Sequence, residues 1–128
     1  MFPDGDSDQV RVLIVDDSRL ARLMLRKALP DDLVAEVIEA SNGSEALRCV
    51  AANKIDLILL DLTMPERDGY QVLKSLQESG QMPPTIVVSA DTQTLAAERV
   101  MKLGAIAFVK KTLKPAELTE VLHRVGLR

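Results

Sequence analysis

Five short strand-like runs, three of them rich in Val, Ile and Leu, recur along this chain, each followed by a segment with helical spacing. The runs are Val10–Val15, Ala35–Glu39, Leu57–Leu60, Thr85–Val88 and Ala107–Lys110. Continuous apolar runs of this length read as strands buried on both faces, which is the condition of a parallel sheet. Apolar residues at three- and four-residue steps fill the intervals. The stripes are Leu20, Leu23, Met24 and Ala28; Ala46, Leu47, Val50 and Ala51; Val72, Leu73 and Leu76; Leu95, Val100 and Leu103; and Leu118, Val121, Leu122 and Val125. Ser18 caps the first helix and Pro30 stops it, and Ser41, Asn42 and Ser44 are candidate caps for the second. Gly80 and Gly104 end the third and fourth, and Pro115 suits the first turn of the fifth. Such alternation predicts an α/β fold, a doubly wound (βα)5 parallel sheet with right-handed crossovers.

The natural order for five such strands is 2-1-3-4-5, the flavodoxin-like arrangement. It sets strands one and three side by side at the topological switch point, where open sheets bind ligands beyond their carboxyl ends. Asp16 and Asp17 follow the first strand and Asp61 follows the third. Clustered carboxylates repel one another unless a cation joins them, and oxygen-only donors suit a hard divalent ion such as Mg2+. Asp17, Asp61 and the backbone carbonyl of Thr63 are the direct ligand candidates, with Asp16 acting through water. Asp61 is the candidate nucleophile, since a carboxylate can accept a phosphoryl group once the charge on that group is neutralised. The competing reading of Asp16-Asp17 is a helix N-cap ahead of Ser18.

Two further polar residues fall at the same predicted edge. Ser89 ends the fourth run and offers a hydroxyl to a phosphoryl oxygen, although a turn or capping serine there is equally ordinary. Lys111 follows the fifth run and could supply the cation that pairs with Asp61, although lysines at strand ends are usually solvated.

Composition narrows the field around this site. A net charge of −3 over 128 residues gives no reason to expect direct nucleic-acid binding, and 2% aromatic residues leave few stacking platforms. The single cysteine, Cys49, fits a reducing cytoplasm and reads as a packed thiol. Residues 1–8 read as a flexible acidic tail without signal-peptide character, and residues 9–128 as one domain. No apolar stretch is long enough to span a membrane. His123, the only histidine, falls on the last helix, away from the predicted crevice.

Four motifs carry a resemblance to the response-regulator receiver family, the CheY-like phosphoacceptor domains of two-component signalling. They are Val15-Asp16-Asp17-Ser18-Arg19, Leu60-Asp61-Leu62-Thr63-Met64-Pro65-Glu66-Arg67-Asp68-Gly69, Val87-Val88-Ser89-Ala90 and Gly104 to Lys111 with Phe108 inside it. The resemblance implies a signalling switch rather than a turnover enzyme. Asp61 would accept phosphate from a histidine kinase, a phosphotransfer protein or a small phosphodonor. Asp16 and Asp17 would organise Mg2+, and Ser89 and Lys111 would bind the phosphoryl group. Ser89 and Phe108 would form the switch, reshaping the face of helix four, strand five and helix five for a downstream protein or output domain. Dimerisation through helix four or five stays open.

The chain departs from that pattern in one place. Receivers usually follow the strand-five lysine with proline in a cis bond, whereas Lys111 precedes Thr112, for which a cis bond costs about 2.5–4 kcal/mol. Lys114-Pro115 is the competing alignment. Thr63, where aspartate-nucleophile phosphohydrolases carry an acid, cannot titrate in the useful range, which counts against a hydrolase. A pseudo-receiver that keeps the fold without the chemistry is the third alternative.

Overall fold

The computed structural model describes residues 9–62, 69–90, 94–111 and 113–127. Strands and helices alternate five times: β1 Val10–Val15, α1 Arg19–Ala28, β2 Val34–Ala40, α2 Gly43–Ala52, β3 Leu57–Leu60, α3 Gly69–Ser79, β4 Thr85–Ser89, α4 Thr94–Lys102, β5 Ala107–Lys110 and α5 Pro115–Arg124. The strands form one parallel sheet in the order β2-β1-β3-β4-β5, as the alternation predicts. Pairing extends β2 by one residue at each end and carries β4 through Ser89.

Side-chain alternation along the buried strands builds a core on each face of the sheet. Val12, Ile14, Leu57, Leu59, Ile86 and Val88 point toward α1 and α5 and meet Leu25, Ala28, Leu118, Val121 and Leu122. Leu13, Val15, Ile58, Leu60 and Val87 point the other way and meet Ala46, Val72, Leu73, Leu76, Ala96 and Val100 of α2, α3 and α4. Each fully buried Leu or Val contributes roughly 1.5–3 kcal/mol of transfer free energy, so the double core fixes the strands rigidly. Their carboxyl ends then inherit that rigidity.

Three expected stripes need correction. On α1 the inward residues are Leu25 and Ala28, while Leu20, Leu23 and Met24 stand exposed. Apolar residues there occupy two adjoining helix faces, and docking against β1 and α5 selects one of them. On α4, Ala96 and Val100 are buried and Leu95 is 73% exposed. On α2, Ala51 is exposed while Ala46 is buried. The inner face of α5 is as expected, and Pro115 opens that helix.

Helix ends follow the capping chemistry read from the sequence. Ala21 N–H donates to Ser18 Oγ at 3.1 Å, and Glu45 N–H donates to Asn42 Oδ1 at 2.9 Å. Gly104 ends α4 at φ +102°, a left-handed conformation that favours glycine.

Candidate functional site

Parallel pairing brings the acidic residues together. Val15 lies beside Leu60 in the β1–β3 register, and Asp61 N–H donates to Val15 O at 2.9 Å just past the strand ends. On the other side of β1, Asp16 N–H donates to Ala40 O at 3.1 Å. One carboxylate oxygen from each of Asp16, Asp17 and Asp61 lies within 4.8 Å of the others. Asp16 is fully buried and Asp61 nearly so, while Asp17 is exposed at the rim.

Lys111 enters from the far side of the sheet. Ser89 pairs with Lys110 at the ends of β4 and β5, and Lys111 N–H donates to Ser89 O at 3.0 Å. This ladder aims the Lys111 side chain at the carboxylates. Its Nζ lies 2.6 Å from Asp16 Oδ2 and 3.4 Å from Asp61 Oδ1. The sequence pointed to Asp61 as its partner; the closer carboxylate is Asp16. Burial opposes the charged ammonium, but the hydrogen bond to Asp16 and the fields of Asp61 and Asp16 outweigh it and hold the pKa of Lys111 above its usual value.

Ser89 is buried at 1% exposure at the end of β4. Phe108 lies beside Val87 on β5, half-buried against the core under α2, α3 and α4. Lys114 instead caps α5 at the surface, where its N–H donates to Glu117 Oε1 at 3.1 Å. The expected ligand carbonyl of Thr63, the Lys111-Thr112 bond, Asp68 and residues 1–8 lie outside the described residues.

Three framework residues were not singled out by sequence reasoning. Gly69 opens α3 directly against the third strand's exit, and its N–H donates to Leu62 O at 2.9 Å. A Cβ there would stand 2.5 Å from Asp61 O and 2.7 Å from Leu62 Cα. Arg22 Nη1 donates to the carbonyl of Asp16 at 2.7 Å, and its Nε donates to Glu39 Oε1 at 2.8 Å. Gly69 stands in a quoted motif, but nothing local in the sequence links Arg22 to Asp16 and Glu39.

Chemically, three carboxylates face one ammonium. The buried Oδ2 of Asp16 meets the Lys111 ammonium at 2.6 Å. An all-oxygen cluster of three carboxylates against one ammonium keeps an excess of negative charge and fits a hard divalent cation.

The match to known proteins decides the family. Residues 12–123 match the model of the response regulator receiver domain. The chain belongs to the response-regulator receiver family. Receivers are the signalling switches of two-component response regulators and bind Mg2+ at an acidic pocket, consistent with phosphorylation-dependent signalling. Chemotaxis protein CheY of Thermotoga maritima is 34% identical over 116 residues, covering 91% of this chain and 97% of its own. The protein-glutamate methylesterase/protein-glutamine glutaminase 2 of Cereibacter sphaeroides is 42% identical over 106 residues, or 80% of this chain. This receiver chain spans only 29% of that relative's length. The chemotaxis protein CheY4 of Vibrio cholerae superposes with TM-score 0.82 at 29% identity, covering 91% of this chain and 98% of that one. Among the described residues, no helix is long and apolar enough to cross a membrane.

Proposed function

We propose that residues 9–128 form a receiver that takes a phosphoryl group on Asp61 from a histidine kinase or phosphotransfer protein. A carboxylate oxygen of Asp61 attacks phosphorus, the bond from phosphorus to the donor nitrogen breaks, and an acyl phosphate results. The observation that carries this reading is the convergence of Asp16, Asp17 and Asp61 within 4.8 Å beside the Lys111 ammonium.

Asp16, Asp17 and Asp61 are the residues suited to hold Mg2+, with the Thr63 carbonyl as a further proposed ligand. When bound, that ion neutralises charge on the transferring phosphoryl group. Lys111 supplies a fixed cation for a phosphoryl oxygen, and the Ser89 hydroxyl donates to another. A hydrogen bond from Ser89 formed only after phosphorylation biases a two-state equilibrium, and Phe108 carries the change to the face of α4, β5 and α5. That face would meet a downstream protein or a linked output domain in the cytoplasm.

Intact-mass spectrometry after incubation with acetyl phosphate and Mg2+ tests the assignment. Wild type gains one phosphoryl group; Asp61→Asn and chelator-treated wild type do not. An equal gain on Asp61→Asn would move the acceptor elsewhere, and steady phosphate release without adduct would indicate a hydrolase.

A further inference from the structure

We infer that Arg22 is a positioning residue for the divalent-cation site, acting through the backbone of Asp16 rather than by contact with the ion. The inference rests on the cation-site reading above and goes beyond its three carboxylates. Asp17 is the exposed member of the cluster, so packing among the described residues does little to aim its side chain. Its direction is set by the backbone on either side.

That backbone is fixed at three points. Asp16 N–H donates to Ala40 O, Ser18 N–H donates to Asp16 Oδ1 at 2.9 Å, and the Asp16 carbonyl accepts from Arg22 Nη1 at 2.7 Å. The last bond fixes the plane of the peptide joining Asp16 to Asp17. Arg22 is itself held: its side chain is only 15% exposed and its Nε–H meets Glu39 Oε1 at the end of β2. Arg26 grips the other oxygen of Glu39 at 2.8 Å, so the anchor does not swing. The guanidinium thus ties a loop carbonyl to the edge strand, a task its planar fork suits and a lysine does not.

The sign of the effect separates this role from simple electrostatics. Arg22 is a positive charge close to a cation site, so by charge alone its removal would tighten Mg2+ binding. Loss of positioning would weaken it. Groups that orient metal ligands typically change affinity by about 10–100-fold when removed.

Calorimetric titration of the full chain with Mg2+, for wild type, Arg22→Ala and Arg26→Ala, decides between them. The expected result is a dissociation constant about tenfold higher for Arg22→Ala, with a clearly smaller rise for Arg26→Ala, since Arg26 only steadies Glu39. In acetyl phosphate reactions the half-saturating Mg2+ concentration of Arg22→Ala rises, while the rate at saturating Mg2+ stays near wild type. Should Arg22→Ala fail to fold, Arg22→Lys carries the test, because one ammonium cannot hold both acceptors in the same geometry and binding still weakens. Unchanged or tighter binding in the folded Arg22 variant would overturn the inference, as would equal weakening by Arg26→Ala. A wild-type chain that takes up no Mg2+ would instead overturn the cation-site reading itself.

Discussion

Lys111 places its ammonium 2.6 Å from the buried Oδ2 of Asp16, closer than its 3.4 Å approach to Asp61. The pair compensates a carboxylate that has no solvent. Lys111→Ala should therefore destabilise the metal-free protein by about 1–3 kcal/mol, since it strands a buried charge. Mg2+ should restore part of that loss, so the melting temperature of Lys111→Ala rises more with added Mg2+ than that of wild type. Because the folded pKa of Lys111 lies above the ordinary 10.5, the pair's stabilisation is complete below that pH. It fades as pH climbs through the folded value. Thermal melts between pH 7 and 11 check the sign.

Gly69 touches the same site from behind. A Cβ there would stand 2.5 Å from the carbonyl oxygen of Asp61, a contact that only backbone movement relieves. Gly69→Ala is expected to cost roughly 1–3 kcal/mol by overpacking. It should slow phosphorylation more than Gly80→Ala, whose Cβ would meet nothing within 4 Å and whose cost comes only from its left-handed φ of +74°. Rates with acetyl phosphate and denaturant midpoints measure both effects.

Acid should weaken the protein partly through Glu39 and Glu45. Hydrogen bonds from Arg26 and then Arg22 hold the Glu39 carboxyl below its usual pKa, and those from the Ser41 backbone and hydroxyl do the same for Glu45. Depressed carboxylates contribute stability above their unfolded pKa, near 4.5, and lose it as pH falls through the folded value. The double variant Glu39→Gln, Glu45→Gln should show a shallower loss of stability below pH 4.5. Urea midpoints from pH 7 to 3 provide the measurement.

The Ser18 and Asn42 N-caps are single-atom supports. Removing the acceptor oxygen by Ser18→Ala or Asn42→Ala should cost about 1 kcal/mol each, additively because the two caps serve separate helices. Thermal denaturation of the single and double variants tests this.

Fold and cluster were both legible because period and position encode them. Continuous apolar runs marked β1, β3 and β4, and acids directly after two of them marked the switch point. Which stripe of α1 faces inward was not legible, since Leu20, Leu23 and Met24 share the helical spacing of the buried Leu25 and Ala28. Only the packing partners choose between adjoining apolar faces. The Arg22 link to Asp16 and Glu39 was equally hidden, because it joins α1 to β2 through side-chain reach rather than local spacing. Lys111 stands at the acidic edge, yet its preference for Asp16 over Asp61 depends on angles that no spacing rule contains.

Anomalous diffraction from crystals soaked in Mn2+, an oxygen-seeking stand-in for Mg2+, tests the convergence of carboxylates most directly. One strong peak is expected at the carboxyl edge of the sheet, at coordination distance from oxygens of Asp17 and Asp61, about 2.1 Å for a Mg2+-like octahedral site. Peaks only elsewhere, or none with the site accessible to solvent, would contradict that convergence.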